Sequence, residues 1–219
     1  MPRAGLTPQR VVTTAEDLAD EVGLARLTLA ELANRLDVKL PSLYKHIDGM
    51  DGLQRAISAR AKLELADVLG RSAVGRSRDE AVQSMAAAYR SWAAEHPGRY
   101  AATVRAAVPG DDAGESAGAS AIAIVLDVIA GYTLAGTDAI DAARAIRSAL
   151  HGFITLEADG GFGLPADVDR SFSRLVDALC RGLATWSQAV GGPKPAPGSP
   201  DPTSIIGQPG PTDSDKRGR

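Results

Sequence analysis

Apolar residues recur at intervals of three and four along most of residues 8–190, which predicts amphipathic helices. No stretch has the alternation of a strand, so we expect an all-α protein of about nine helices. A first helix should begin at Thr7-Pro8 and end at Gly23. A last helix from Asp167 carries apolar residues alternately four and three apart, which is typical of helices that pack lengthwise on one another.

Residues 28–47 have the pattern of two short helices joined by a turn. Thr28 and Glu31 have the spacing of a capping box, and the helix that they begin should end near Leu36. Asp37 tolerates the left-handed backbone that a tight turn needs. A second short helix is expected over residues 40–47.

The second short helix has an apolar and a polar side. Leu43 and Ile47 are four residues apart and should face inward. The outer side carries hydrogen-bond donors and an aromatic ring, at Lys39, Ser42, Tyr44, Lys45 and His46. This arrangement is the geometry of a helix-turn-helix that reads the major groove of DNA. Spacing alone also allows an ordinary helical hairpin with a solvated face.

The segment LTLAELANRLDVKLPSLYKHIDGMDGL resembles the DNA-binding segment of the TetR family of bacterial transcriptional regulators. The resemblance is carried by the pattern -LA-RL-V---LY-H-, here Leu32, Ala33, Arg35, Leu36, Val38, Leu43, Tyr44 and His46. Asp37 departs from a frequent Gly, and Met50 from a frequent phosphate-binding Lys. We therefore expect DNA contacts from Thr28, Leu29, Lys39, Pro41, Ser42, Leu43, Tyr44, Lys45 and His46.

A second segment, AIRSALHGFITLEADGGFGLPADVD, resembles a C-terminal regulatory domain that occurs in some members of the same family. That domain is known for a W-H-G signature. His151-Gly152 matches the signature, and Leu150 takes the place of the Trp. The resemblance implies a small-molecule site among the helices of residues 77–186. Pockets combine aromatic rings with a few polar groups, so candidate ligand contacts are Trp92, Tyr100, Tyr132, His151 and Phe153. Plain core packing is the commoner role of each such residue.

The chain divides by pattern into three parts. We expect a DNA-binding domain at residues 1–52, a ligand-binding and dimerisation domain at 53–190, and a disordered tail at 191–219 that holds seven Pro and six Gly. Further helices are predicted over 48–69, from a second capping box at Ser77 and Glu80, over 99–108, as a buried helix over 119–134, and from Asp138.

Charge and cysteine content limit the partners. The net charge is −3, and residues 1–60 hold eight Lys/Arg and eight Asp/Glu. Affinity for DNA would therefore depend on where the donors lie rather than on a broad positive field. The single Cys excludes an internal disulfide and a multi-Cys metal site, and it fits a reducing cytoplasm, as does the lack of a visible signal peptide.

Small residues on the last two long helices predict a four-helix interface between two subunits, at Ala142, Ala143, Ala149, Gly152, Ala178 and Gly182. A two-fold dimer would read a palindromic operator with half-sites about one helical turn apart. Our hypothesis is a homodimeric repressor, released from double-stranded DNA by a small, largely apolar effector. The resemblance implies the same arrangement.

The sequence contains no His pair at helical spacing, no Gly-rich phosphate loop and no nucleophile elbow. We therefore expect no enzymatic activity, no metal and no cofactor. The alternative that stays open is a helical protein–protein interaction module whose helix-turn-helix does not function.

Overall fold

The structure is a computed structural model that describes residues 5–106, 108 and 110–186. This part of the chain forms nine α-helices, a 3₁₀ turn at Leu24–Arg26 and no strand, which confirms the all-α prediction. The helices are α1 Pro8–Val22, α2 Leu29–Arg35, α3 Leu40–Leu43, α4 Gly49–Ala73, α5 Arg78–Glu95, α6 Pro97–Thr103, α7 Asp112–Ala130, α8 Gly136–Ala158 and α9 Val168–Ala184. The tail expected to be disordered, 191–219, lies outside the described residues.

Helices α1 to α3 pack on the first part of α4 around an apolar core. Val11, Leu32, Leu43 and Leu53 are fully buried there. Local signals set the first helix as predicted: the Thr7 hydroxyl accepts a hydrogen bond from the Arg10 amide at 3.2 Å. The result is a small module with its own hydrophobic centre.

Helix α4 is one continuous helix of 25 residues that joins two apolar cores. Leu53 and Ile57 belong to the core of the N-terminal module, whereas Ala61, Leu65 and Leu69 belong to the larger core formed with α5 to α9. The change between cores therefore takes place within a rigid helix. A displacement of α4 on one side must move residues on the other.

Helix α7 corrects the prediction of a buried helix over 119–134. It begins earlier, where the Asp111 carboxylate accepts from the Gly114 amide at 3.2 Å, and it packs along α4. Only 22% of its most apolar 18-residue window is buried, and Ile122 is half exposed. By length and a mean hydropathy of 1.5 the helix could cross a membrane, which alone is weak evidence for a span.

Two further predictions of local structure are wrong. The short helix expected over 99–108 is α6, which begins at Pro97 and ends at Thr103. Pro97 fits the first helical position because no amide donor is needed there. The second capping box does not form: α5 begins at Arg78, but the Ser77 side chain makes no capping bond, and Arg78 has a positive φ of 52°.

Candidate DNA-binding surface and regulatory core

Helix α2 has stabilising hydrogen bonds at both ends, and those at its C-terminal end form the turn to α3. The Thr28 hydroxyl accepts from the Glu31 amide at 3.2 Å and donates to the Glu31 carboxylate at 3.0 Å. At the other end Asp37 has φ 55°, its amide donates to Asn34 O at 3.1 Å, and the Val38 amide donates to Ala33 O at 3.0 Å. This pair of bonds is a Schellman motif, with Asp in the position that Gly most often takes.

The second short helix is shorter than predicted. Helix α3 is a single turn, and the chain continues in a tighter turn in which the amides of His46 and Ile47 both donate to Leu43 O, at 2.8 and 3.1 Å. Tyr44 is 56% exposed, whereas Leu43 is fully buried. Leu43 therefore leaves the set of candidate DNA contacts, because its side chain packs beneath the surface that it supports.

The other predicted DNA contacts lie at or near the outer side of this segment. Leu29, Ser42 and His46 are half-buried, and the remainder are exposed: Thr28, Lys39, Pro41, Tyr44 and Lys45. We name the group Lys39, Pro41, Ser42, Tyr44 and Lys45 the recognition surface. Within the described part of the chain, neither of its lysines takes part in an ion pair.

Three acidic residues of α1 are bound by arginines outside the recognition surface. Asp17 binds Arg99 of α6 at 2.8 Å, Asp20 accepts from the Arg99 amide at 2.8 Å, and Glu21 pairs with Arg35. Part of the negative charge in residues 1–60 is therefore compensated outside the recognition surface, although Asp37 and Asp48 lie close to Lys39 and Lys45 in the chain. Neutral net charge is compatible with a locally positive recognition surface.

The N-terminal end of α6 is held tightly against α1. A Cβ atom built on Gly98 would lie 2.2 Å from Ala19 C and O, so only glycine allows the two backbones to approach this closely. Next to it, the Arg99 side chain binds Asp17 and lies 3.4 Å from Glu64 of α4. These contacts attach the N-terminal end of α6 to α1, and we name this α1–α6 contact around Gly98 and Arg99 the joint.

Glu16 is a buried carboxyl group at the same joint. It is 3% exposed, its Oε2 lies 3.0 Å from Arg60 of α4, and its Oε1 has no hydrogen-bond partner among the described residues. Burial raises the pKa of Glu16 to about 7, although the charges of Arg60 and Arg99 oppose the shift. A protonated carboxyl is therefore favoured below neutral pH.

Two of the five predicted ligand contacts meet in the larger domain. The Tyr100 hydroxyl lies 2.6 Å from His151 Nδ1, and the two rings are 5.6 Å apart. The Tyr89 ring meets the edge of Tyr100 at 5.7 Å. Burial raises the pKa of the Tyr100 hydroxyl, so it stays protonated and can act as a donor.

The other three lie in different surroundings. Trp92 donates to Glu64 at 3.3 Å, near the joint with α1. Tyr132 donates to Asp79 at 2.6 Å, and Phe153 packs on Phe172 at 5.1 Å. Two of these contacts are internal hydrogen bonds, and the third is internal ring packing.

The sequence analysis did not single out Lys62, which is a buried cation on α4. The feature that could have identified it is a charged residue next to the apolar residues of that helix.

Comparison with known proteins agrees with this architecture. Residues 82–179 match the family model of the tetracyclin repressor-like C-terminal domain. The chain is 40% identical over 181 residues to the uncharacterised HTH-type transcriptional regulator Rv0681 of Mycobacterium tuberculosis, covering 82% of this chain and 83% of that protein. It is 34% identical to the uncharacterised HTH-type transcriptional regulator YobS of Bacillus subtilis, over 83% of this chain and 95% of the relative.

Solved structures share the fold. A protein of unknown function from Rhodococcus sp. RHA1 is 25% identical with a TM-score of 0.69, covering 84% of this chain and 98% of the other. A TetR variant from Acinetobacter baumannii AYE, in complex with minocycline, is 23% identical with a TM-score of 0.64, covering 83% of this chain and 98% of the other. The second likeness shows the fold alone.

A short N-terminal helix-turn-helix joined to a larger helical bundle is the architecture of a DNA-binding transcriptional regulator. With the relatives above, the chain belongs to the TetR family of transcriptional regulators.

Proposed function

We propose that this regulator binds a palindromic operator as a homodimer through the recognition surface, acts as a repressor, and leaves the DNA when a small molecule binds within the larger domain. The observation that carries the proposal is the exposed group Lys39, Tyr44 and Lys45, held on a helix-turn-helix whose turn is fixed by the bonds around Asp37. Such a segment enters the major groove with its first residues towards the bases.

The roles within the recognition surface follow from chemistry. Lys39 and Lys45 are point charges suited to phosphates, where each lost contact weakens binding to all sequences. Tyr44 and Ser42 offer hydroxyl groups that can donate to or accept from a base edge or phosphate. Leu43 is buried beneath them, so it sets the position of the surface without contacting DNA.

A dimer would use the outer faces of α8 and α9. Ala149, Gly152 and Gly182 are half-buried and Ala178 is exposed in the single chain, and a Cβ on either glycine would meet no atom within 4 Å. These positions leave room for a second backbone to approach. Two of the small residues proposed from sequence, Ala142 and Ala143, are buried within the subunit and are excluded from the interface.

Release by a small molecule would pass through the joint between α1 and α6. Gly98 and Arg99 fix α6 to α1, and α4 runs through both cores. An effector that prefers one position of α6 therefore also selects a position of the DNA-binding module. Its effect is limited to the difference between its affinities for the two states.

The DNA step is tested by fluorescence anisotropy on the promoter fragment next to the regulator's own gene. Lys45→Ala should weaken binding by about tenfold and lower the salt dependence by about one phosphate contact. Tyr44→Ala should weaken it with no change in melting temperature, because the ring is exposed. The matched control is Arg71→Ala, which removes a cation near the C-terminal end of α4, far along the chain from the recognition surface. The Arg71 side chain is 67% exposed, and its removal should leave the affinity for DNA unchanged.

Two outcomes would contradict the DNA step. Absence of binding at low salt, or equal affinity of all three variants and the wild type, would point instead to a protein–protein interaction module.

The dimer is tested separately by light scattering. Ala178→Glu should yield monomers, while Ala94→Glu, which places the same charge at an exposed position on α5, should not.

A further inference from the structure

Lys62 is a buried cation whose charge is not matched by a salt bridge. It lies on α4 beside the buried residues Ala61 and Leu65, and it is 9% exposed. Its Nζ donates to Arg105 O at 2.7 Å, just beyond the end of α6, and it forms no ion pair among the described residues. A lysine has three donors, so a single carbonyl leaves most of its hydrogen-bonding capacity for another acceptor.

Of the two charges that act on Lys62, the positive charge of Arg147 outweighs the negative charge of Asp111. Burial and the charge of Arg147 both lower the pKa of Lys62, and only Asp111 opposes them. Asp111 already caps α7 through the Gly114 amide. A buried cation with such neighbours costs folding free energy, which an incoming negative charge would recover.

Arg147 extends this positive region along α8. Arg147, His151 and Thr155 are spaced by four residues and therefore share one face of the helix. Arg147 also lowers the pKa of the Tyr100 hydroxyl, so its charge reaches the Tyr100–His151 pair as well as Lys62. In the described part of the chain Arg147 has no carboxylate partner.

We propose that the effector of this regulator is an organic acid whose carboxylate binds between Lys62 and Arg147, beside the Tyr100–His151 pair. The proposal rests on the release by a small molecule proposed above, and it replaces a largely apolar effector with an amphiphilic one. The buried rings of Tyr89 and Tyr100 suit the apolar body of such an acid. A carboxylate accepts hydrogen bonds from both cations; burial strengthens its attraction to Lys62, whereas Arg147 is exposed and would contact it from the solvent side.

The same site offers a physical route to DNA release. In the structure, Lys62 ties α4 to the chain that follows α6 through the Arg105 carbonyl. A carboxylate attracts the Lys62 ammonium group more strongly than a neutral carbonyl does, and one bound beside Arg147 would draw that group away from Arg105 O. Loss of the tie frees the C-terminal end of α6, while its other end remains held against α1 by Gly98 and Arg99. Anion binding thus favours a different position of α6.

The experiment measures thermal stability of the full chain at pH 7 with two matched pairs of probes, octanoate against octanamide and benzoate against benzamide. Each pair has nearly the same shape and differs in charge. We expect at least one acid to raise the melting temperature by about 3–6 °C at tenfold excess over its Kd, and its amide to have little effect. The proposal is overturned if each amide changes the melting temperature as much as its acid does, or if no probe changes the melting temperature at all.

Variants locate the effect. Lys62→Met and Arg147→Gln should each abolish the response to the acid, whereas Arg144→Gln, on the same helix but already bound to Asp141, should keep it. Without probe, Lys62→Met should melt no lower than the wild type, because Met fills the space without a buried charge. A lower melting temperature together with an unchanged acid response would assign Lys62 a purely structural role and contradict the proposal.

Release from DNA is measured separately, by anisotropy on the promoter fragment with the acid that gives the largest shift. An acid that raises the melting temperature through Lys62 and Arg147 but leaves DNA affinity unchanged supports the anion site and contradicts the proposed release. An amide that releases the DNA while the acid does not supports release and contradicts the anion site.

Discussion

Gly98→Ala is the sharpest test of the joint between the two parts of the molecule. The added Cβ would lie 2.2 Å from Ala19 C and O and 2.6 Å from the Asp20 amide nitrogen. These are backbone atoms, which cannot turn aside as the end of a flexible side chain can. An ordinary contact needs about 3.4 Å, so α6 and α1 would have to separate by about 1.2 Å.

The magnitude follows from two opposing effects. Forcing an extra carbon into a packed site costs roughly 1–3 kcal/mol, and a contact with two backbones belongs at the upper end of that range. Alanine recovers up to about 1 kcal/mol through its better helix propensity. The net loss is about 2 kcal/mol, which for a chain of this size lowers the melting temperature by about 4–8 °C. Separation should also lengthen the bond from the Arg99 amide to Asp20.

Circular dichroism during thermal unfolding measures the effect, with Gly118→Ala as the matched control. Gly118 lies inside α7, and a Cβ there would meet no atom within 4 Å. That variant should melt at the wild-type temperature or about 2–4 °C above it. If Gly98→Ala is as stable as Gly118→Ala, the close approach of α6 to α1 is not a feature of the molecule in solution.

Two further predictions concern charged groups. Because burial raises the pKa of Glu16 to about 7, the folded state holds a proton that the unfolded state releases above its ordinary pKa near 4.5; stability from this group therefore falls as pH rises from about 4.5 to 7. Glu16→Gln should gain in melting temperature relative to wild type between pH 5 and pH 8, and a constant difference would contradict this. Arg90 binds Glu157, and the bond lowers the pKa of that carboxyl, so Arg90→Met should cost about 2 kcal/mol in urea unfolding at pH 7. That cost should shrink as the pH falls below the ordinary glutamate pKa of 4.5 and Glu157 takes up a proton, and a cost independent of pH would count against the pairing.

Predictions from sequence succeeded where neighbouring residues decide the structure. The cap at Thr28, the helix starts at Thr7-Pro8 and Asp167, and the left-handed Asp37 depend on atoms within four positions, and all four have the expected geometry. Ser77 shows the limit: its spacing fits a capping box, yet Arg78 takes a positive φ and the bond does not form.

Tertiary packing decided what sequence could not. The apolar content of α7 predicted burial, but much of its surface is uncovered in the single chain, because hydrophobicity does not reveal which neighbours are present. Lysine is usually a surface residue, but Lys62 is buried because α4 packs against the end of α6, where its Nζ donates to Arg105 O. The equal count of acids and bases in residues 1–60 did not reveal that Asp17 and Asp20 are bound by Arg99, which lies outside that segment.

The central claim is that two copies of the recognition surface meet one DNA duplex on successive turns. Hydroxyl-radical footprinting of the promoter fragment tests it directly, because the pattern reports both the contacts and their spacing. We predict two protected segments related by a dyad, on one face of the duplex, with centres about one helical turn or a whole multiple of it apart. Lys45→Ala should weaken both segments equally. A single protected segment, or two on opposite faces, would contradict the account.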